Sequence, residues 1–167
     1  TITSLNNCFS GIPQESITNL NLWDVSNVTN MQYMFFETTA FNQDISGWNV
    51  SHVTKMSMMF MLAAAFNKNI SGWDVSLVTN MDMMFGGASS FNQAIGNWDV
   101  SQVESMSGMF YAATAFDQNI SGWKIGKVTH MDGMFEDVCL CTANYDALSK
   151  GWAAQIVQND VTFSGGT

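Results

Sequence analysis

Residues 45–69 read ISGWNVSHVTKMSMMFMLAAAFNKN and residues 70–94 read ISGWDVSLVTNMDMMFGGASSFNQA. The two stretches align without a gap, and the same 25-residue pattern continues on both sides of them. Trp recurs at positions 23, 48, 73, 98 and 123, and Phe at 35, 60, 85, 110 and 135 and again at 41, 66, 91 and 116. Ten of the thirteen Met fall into two columns, 31, 56, 81, 106, 131 and 34, 59, 84, 109, 134. Val28, Val53, Val78, Val103 and Val128 complete the apolar set, with Ile45, Ile70, Ile95 and Ile120 ahead of the Trp. One repeat cannot bury its apolar face alone, so the repeats must stack.

Two spacings coexist within a repeat. From Trp48 to Val50 the step is two, as on one face of a short strand. From Val53 through Met56, Met59 and Phe60 the steps are three, three and one, which predicts a helical stripe. Ser51 stands where an N-cap belongs, repeated by Ser26, Ser76 and Ser101, with Gly126 in the fifth repeat. Ser101 and Glu104 add a capping box. The expected fold is therefore an α/β repeat: a right-handed, leucine-rich-repeat-like solenoid with one short parallel strand and one short helix per 25-residue rung. Strands about 4.8 Å apart make the five rungs span about 24 Å, from the Trp23 layer to just past the Trp123 layer, and unbranched Met fills gaps between aromatic layers.

The ends depart from the pattern. Ile2, Leu5, Cys8 and Phe9 echo Val28, Met31, Met34 and Phe35 one residue out of register. Tyr145, Leu148, Trp152 and Ile156 lie at helical spacing and predict a capping helix from Asn144 to roughly Val157. Val161 and Phe163 then alternate as a last strand before Gly165 and Gly166. One domain is expected, with a partial rung at 1–22, five rungs over 23–141 and a cap over 142–167.

Composition bounds the function. Fourteen Asp and Glu stand against five Lys and no Arg, for a net charge of −9. A surface that repels anions and lacks a guanidinium fork argues against nucleic acid and phosphate ligands. It suits an extracellular protein, or one that recruits cations or basic partners. The longest apolar stretch, residues 56–66, is far short of the roughly 20 residues a membrane span needs. A start at Thr1 is expected of a processed product or an excised fragment.

The step Ile45-x-x-Trp48-x-Val50 resembles the core of leucine-rich repeats, with Trp in a leucine position. More specifically, WDVSNVTNM followed by MF and FNQDISGW resembles the BspA-like surface-protein repeats of bacterial lipoproteins and secreted proteins, over about residues 17–135. Residues 142–152, TANYDALSKGW, resemble the segment that caps such arrays. The resemblance implies a scaffold at a cell surface, used for adhesion and partner binding, with no column that implies catalysis.

Several columns are candidates for function. Asp24, Asn49, Asp74, Asp99 and Lys124 are expected to point outward from the strand, on the face where leucine-rich repeats bind partners. A row of carboxylates repels itself, which hints at Ca2+ or a basic ligand; the simpler reading is a soluble strand face. Asn42, Asn67, Asn92 and Asp117 are expected to bond backbone groups from rung to rung. Thr29, Thr54, Thr79 and Thr129, interrupted by Glu104, fit helix starts better than an ice- or glycan-binding array. Sequons at Asn27, Asn49, Asn69 and Asn119 arise mostly from the repeat itself.

No nucleophile or acid–base pair stands out, so an enzyme is not expected; a carbohydrate-active solenoid enzyme is the third alternative. No metal site or other cofactor is expected, and His52 and His130 lie away from the cysteines. Cys8 near the first rung and Cys139 and Cys141 near the last are too far apart for a disulfide within a straight stack. Two alternatives remain for them: an intersubunit disulfide, or thiols paired by a longer chain. The expected function is a non-enzymatic extracellular or cell-surface module that binds a protein or glycan. The alternative is a filament subunit stacked head to tail with copies of itself.

Overall fold

The three-residue steps that predict a helix turn out to be chained β-turns. In the second repeat Trp48 N–H donates to Ile45 O, Val53 to Val50, Met59 to Met56, Ala63 to Phe60 and Phe66 to Ala63, each three residues back. A turn of this kind aims its first and fourth residues the same way, and here that way is inward. Ile45, Val53, Met56, Met59, Phe60, Ala63 and Phe66 are all at most 1% exposed.

The computed structural model describes residues 1–13, 17–158 and 161–163. Among these the only helices are a 3-10 turn, Leu20–Leu22, and one α-helix, α1, Thr142–Ala153. The expected fold class is thereby corrected: no strand or helix recurs with each rung. A helix cannot run through Ser51–Leu62 because Met58 and Leu62 are left-handed, with φ of 56° and 61°. The same two places are left-handed in neighbouring rungs, at Tyr33 and Glu37 (56° and 60°) and at Met83 and Gly87 (52° and 69°). Each left-handed residue reverses the local curl that an α-helix must keep.

Strand pairing shrinks to one isolated parallel bridge per step, at Ser4–Asn30, Asn30–Lys55, Lys55–Asn80, Asn80–Ser105 and Ser105–His130. These bridges lie just past the Thr column, not at the expected Trp-x-Val strand. From there amides alternate in duty. Those of Met31, Tyr33, Phe35 and Glu37 donate to the carbonyls of Lys55, Ser57, Met59 and Met61 in the next rung, while those of Met34, Phe36 and Thr38 close turns within the rung.

The core is a set of ring stacks. Phe35, Phe60, Phe85, Phe110 and Phe135 follow one another at centroid distances of 5.4–5.8 Å. Within each of the first four rungs the two Phe lie 3.9–4.0 Å apart. Four indoles of the repeat reach a carbonyl one rung down: Trp48 Nε1 donates to Leu20 O, Trp73 to Ile45 O, Trp98 to Ile70 O and Trp123 to Ile95 O, at 2.8–3.3 Å.

Residues 4–11 form the first layer: Leu5 N–H donates to Asn30 O, and the Phe9 ring stacks on Phe35 at 5.6 Å. Ile2 does not join the core. At the other end α1 starts at Thr142, after Cys141, and stops at Ala153, short of the expected Val157. Asn144 is not its cap, because its amide donates to Asp117 O and Oδ1. Gln155 stops the helix by bonding the last rung, accepting from Ile125 N–H and donating to Trp123 O. Leu148 and Trp152 are the buried face of α1. A side chain on Gly151 would collide with Ser121 O, so only glycine allows this approach. Residues 161–163 form no strand, and Gly165 and Gly166 lie outside the described residues.

Replacing Trp98 separates the two contributions of a core indole. Trp98→Phe keeps an aromatic ring but removes one of the two donors to Ile70 O, the Trp73 amide remaining, and is expected to lower stability by about 0.5–1.5 kcal/mol in urea unfolding. Trp98→Ala also empties the site and is expected to cost about 3–5 kcal/mol. Trp23 is only partly buried, so Trp23→Ala is expected to cost less than Trp98→Ala.

Candidate functional site

The outward column begins as a turn element. Asp24, Asn49, Asp74 and Asp99 each accept the amide of the serine two residues on, at 3.0–3.1 Å, and Asp74 also accepts the Ser76 hydroxyl at 2.6 Å. Such a bond makes the side chain mimic a backbone turn. All five side chains of the column, Lys124 included, are exposed. Hydrogen bonding from the following serine, hydroxyl first and amide second, holds Asp24, Asp74 and Asp99 below the usual carboxylate range. The column's members also act on one another: Asp99 opposes ionisation of Asp74, and Lys124 favours that of Asp99. Among the described residues no three His, Cys, Asp or Glu converge in a group able to hold a metal ion.

The Asn column is a rung-to-rung ladder. Asn42, Asn67 and Asn92 Oδ1 accept the amides of Asn67, Asn92 and Asp117, and Asp117 Oδ1 accepts that of Cys141, all at 3.0 Å. Gln93 and Gln118 strengthen it from the side by donating to Asn67 and Asn92. Asp117 is held below the usual range by Asn144 first and the Cys141 amide second. The Thr hydroxyls of residues 29, 54, 79 and 129 donate to the carbonyl of the preceding rung, at 3.0–3.3 Å. They begin no helix.

Cys8, Cys139 and Cys141 are exposed and free. Cys8 belongs to the first layer and Cys141 bonds the last Asn-column residue, so several stacked rungs separate them. Partial desolvation pushes the Cys8 thiol up. A cavity of about 340 Å³ lies between α1 and the last rung, lined by Ile125, Met131, Leu148, Trp152 and Phe163 among others. Trp152 Nε1 is enclosed and meets no hydrogen-bond partner among the described residues.

Sequence reasoning missed the face made by the left-handed residues. Tyr33, Met58 and Met83 hold one left-handed column, continued by Gly108 and Gly133; Glu37 and Leu62 hold the other, continued by Gly87, Ala112 and Asp137. A residue other than glycine in this conformation costs roughly 1–2 kcal/mol. Glycine plainly serves at these places, yet large apolar side chains stand at Tyr33, Met58, Leu62 and Met83. They are only partly covered, Leu62 being 39% exposed, and beside them Tyr111 is 38% exposed. The signal was present in the sequence: Met58, Met61 and Met83 are the three Met outside the core columns.

A family model described as Mycoplasma protein of unknown function, DUF285, matches residues 3–100 and 70–162. No curated protein and no solved structure matches the chain.

The lowered carboxylates set a pH dependence. A depressed folded pKa contributes stability above the unfolded value, near 4, that is lost as pH falls through the folded value. Asn49 already makes the same turn without a charge. The stability difference between the natural chain and the triple variant Asp24→Asn, Asp74→Asn, Asp99→Asn is therefore expected to be constant above about pH 5 and to move against the natural chain below about 4. Thermal unfolding across that range checks it; a flat difference, or one of opposite slope, refutes the assignment.

Proposed function

Because the chain belongs to the Mycoplasma family of unknown function DUF285, we propose that it is a non-enzymatic extracellular or cell-surface repeat module that binds a protein or a glycan. One observation carries this reading: the frame is constant while its outward side chains change. Trp, Asn and Thr side chains at repeated positions are spent on bonds between rungs, and the Asp-column side chains on turns. Between them one position of the repeat shows Tyr33, Met58 and Met83 at least partly to solvent where later rungs carry Gly108, buried, and Gly133, and another shows Phe36, Met61, Tyr111 and Glu136 where the third rung carries the buried Gly86. A rigid frame with freely varied surface positions is how repeat proteins present an extended binding surface. The likeness to BspA-like surface repeats supports the same reading, including its place outside the cell. A screen of the 167-residue chain against glycans and cell-surface and matrix proteins, with and without Ca2+, is expected to give saturable binding that changes at these outward positions weaken. Polysaccharide cleavage abolished by changing Asp24, Asp74 or Asp99 would sink it in favour of an enzyme.

A second reading, a filament subunit joined head to tail, rests on a separate observation. The amides of Met131, Gly133, Phe135 and Asp137 are the next donors of the rung-to-rung ladder and meet no acceptor among the described residues. The carbonyls of Ser4, Asn6 and Cys8 in the first layer likewise meet no donor there. Stacking one copy on another, with residues 161–163 moved off Phe135, would pair the two sets and bring Cys8 toward Cys139 and Cys141 of the neighbour. Non-reducing gels and negative-stain microscopy are then expected to reveal thiol-sensitive multimers and filaments; monomers under both conditions rule this reading out.

A further inference from the structure

The left-handed columns build a continuous apolar face. A side chain on Gly108 would collide with the Met83 sulfur, and one on Gly87 with the Leu62 side chain. The large residues of one rung thus lie flat over the glycines of the next. Tyr33 and Phe36 extend the face at the first full rung, their rings edge to face at 5.9 Å. Tyr111 closes it in the fourth. Thioethers dominate the middle, and such side chains repack around differing apolar partners. The three rung spacings from Tyr33 to Tyr111 cover roughly 14 Å, the length of about ten helical residues.

Charge names the partner. Glu37 stands at one end of this face and Asp132, Glu136 and Asp137 at the other, all exposed, with Asp82 at its flank. Against these carboxylates the adjoining columns carry Lys55 and His130, and the chain has no Arg. We propose that the face of Tyr33, Phe36, Met58, Leu62, Met83 and Tyr111 docks a cationic amphipathic segment, apolar on one side and carrying Lys or Arg toward both ends. The apolar side packs on the thioethers, and the basic ends meet the carboxylates. This assignment deepens the binding-module reading and rests on it.

Glycine substitutions give the decisive test, because glycine suits the left-handed backbone that Met58 and Leu62 occupy. The double variant Met58→Gly, Leu62→Gly is expected to keep or raise the unfolding temperature while losing the face. The probe is a labelled, end-blocked peptide of about 14 residues, Leu and Lys at helical spacing, titrated by anisotropy into the 167-residue chain. Saturable binding is expected, weakened about tenfold or more in the glycine variant. Glu136→Gln with Asp137→Asn is expected to weaken binding at low salt and to flatten its salt dependence. Equal binding of Leu/Gln or Leu/Glu peptides, or binding that ignores the glycine variant, overturns the proposal. So does a dimer in sedimentation that the glycine variant abolishes, since a second copy would then cover the face. If the cationic peptide fails but a ligand from the screen binds the glycine variant undiminished, this face is wrong and the module reading stands. If neither binds, both fall.

Discussion

The hydrogen bond from an amide in one rung to a carbonyl 24 residues on, as from Met31 to Lys55 and from Phe35 to Met59, is the constraint on which this molecule depends. Turns alone would satisfy only part of a buried backbone, and an unpaired amide inside a protein is costly. Alternation solves the problem: one amide serves the turn, the next serves the neighbouring rung. The side chains repeat the arrangement, with the indoles of Trp48, Trp73, Trp98 and Trp123 reaching a carbonyl in the rung before and the oxygens of Asn42, Asn67 and Asn92 accepting an amide from the rung after. Such bonds require successive rungs to hold the same shape. The left-handed pair in each rung is part of that shape, and its strain is tolerated because the neighbouring rungs fix the backbone on both sides.

Much of this is written in the sequence. The core columns, the stacking order and the Asn ladder follow from which residues recur and from what a buried amide side chain must do. The local conformation does not. Inward residues three apart belong equally to a helix and to a chain of turns, and Val53, Met56, Met59 and Phe60 fit both. What decides between them is the left-handed backbone at Met58 and Leu62, which no glycine there announces. Ser51 likewise reads as a cap, whereas its amide is a donor to Asn49. The C-terminal helix was legible in kind, from Tyr145, Leu148 and Trp152, but its limits follow from bonds that Asn144 and Gln155 make to the last rung.

The candidate surfaces divide on the same principle. Asp24, Asn49, Asp74 and Asp99 recur because a turn needs them, so their constancy carries little information about a ligand. The face around Met58 and Met83 is the reverse case: it breaks the pattern, stands partly open to solvent and holds a backbone that glycine would hold with less strain. Departure from the repeat is the more informative signal where every repeated residue already has a structural task.

The uniform register between rungs has a consequence for inheritance. Each interior unit offers its two neighbours the same carbonyls, amides and ring faces, so the segment before any one repeat is already shaped to meet the segment after it. Unequal crossing-over that removes or adds a whole unit in frame would leave no cavity and no orphaned amide at the junction, and would lengthen or shorten the array while its cross-section stayed the same. Gene length can drift by whole units in such a lineage, and selection can act on reach and on the number of displayed positions without first repairing a core.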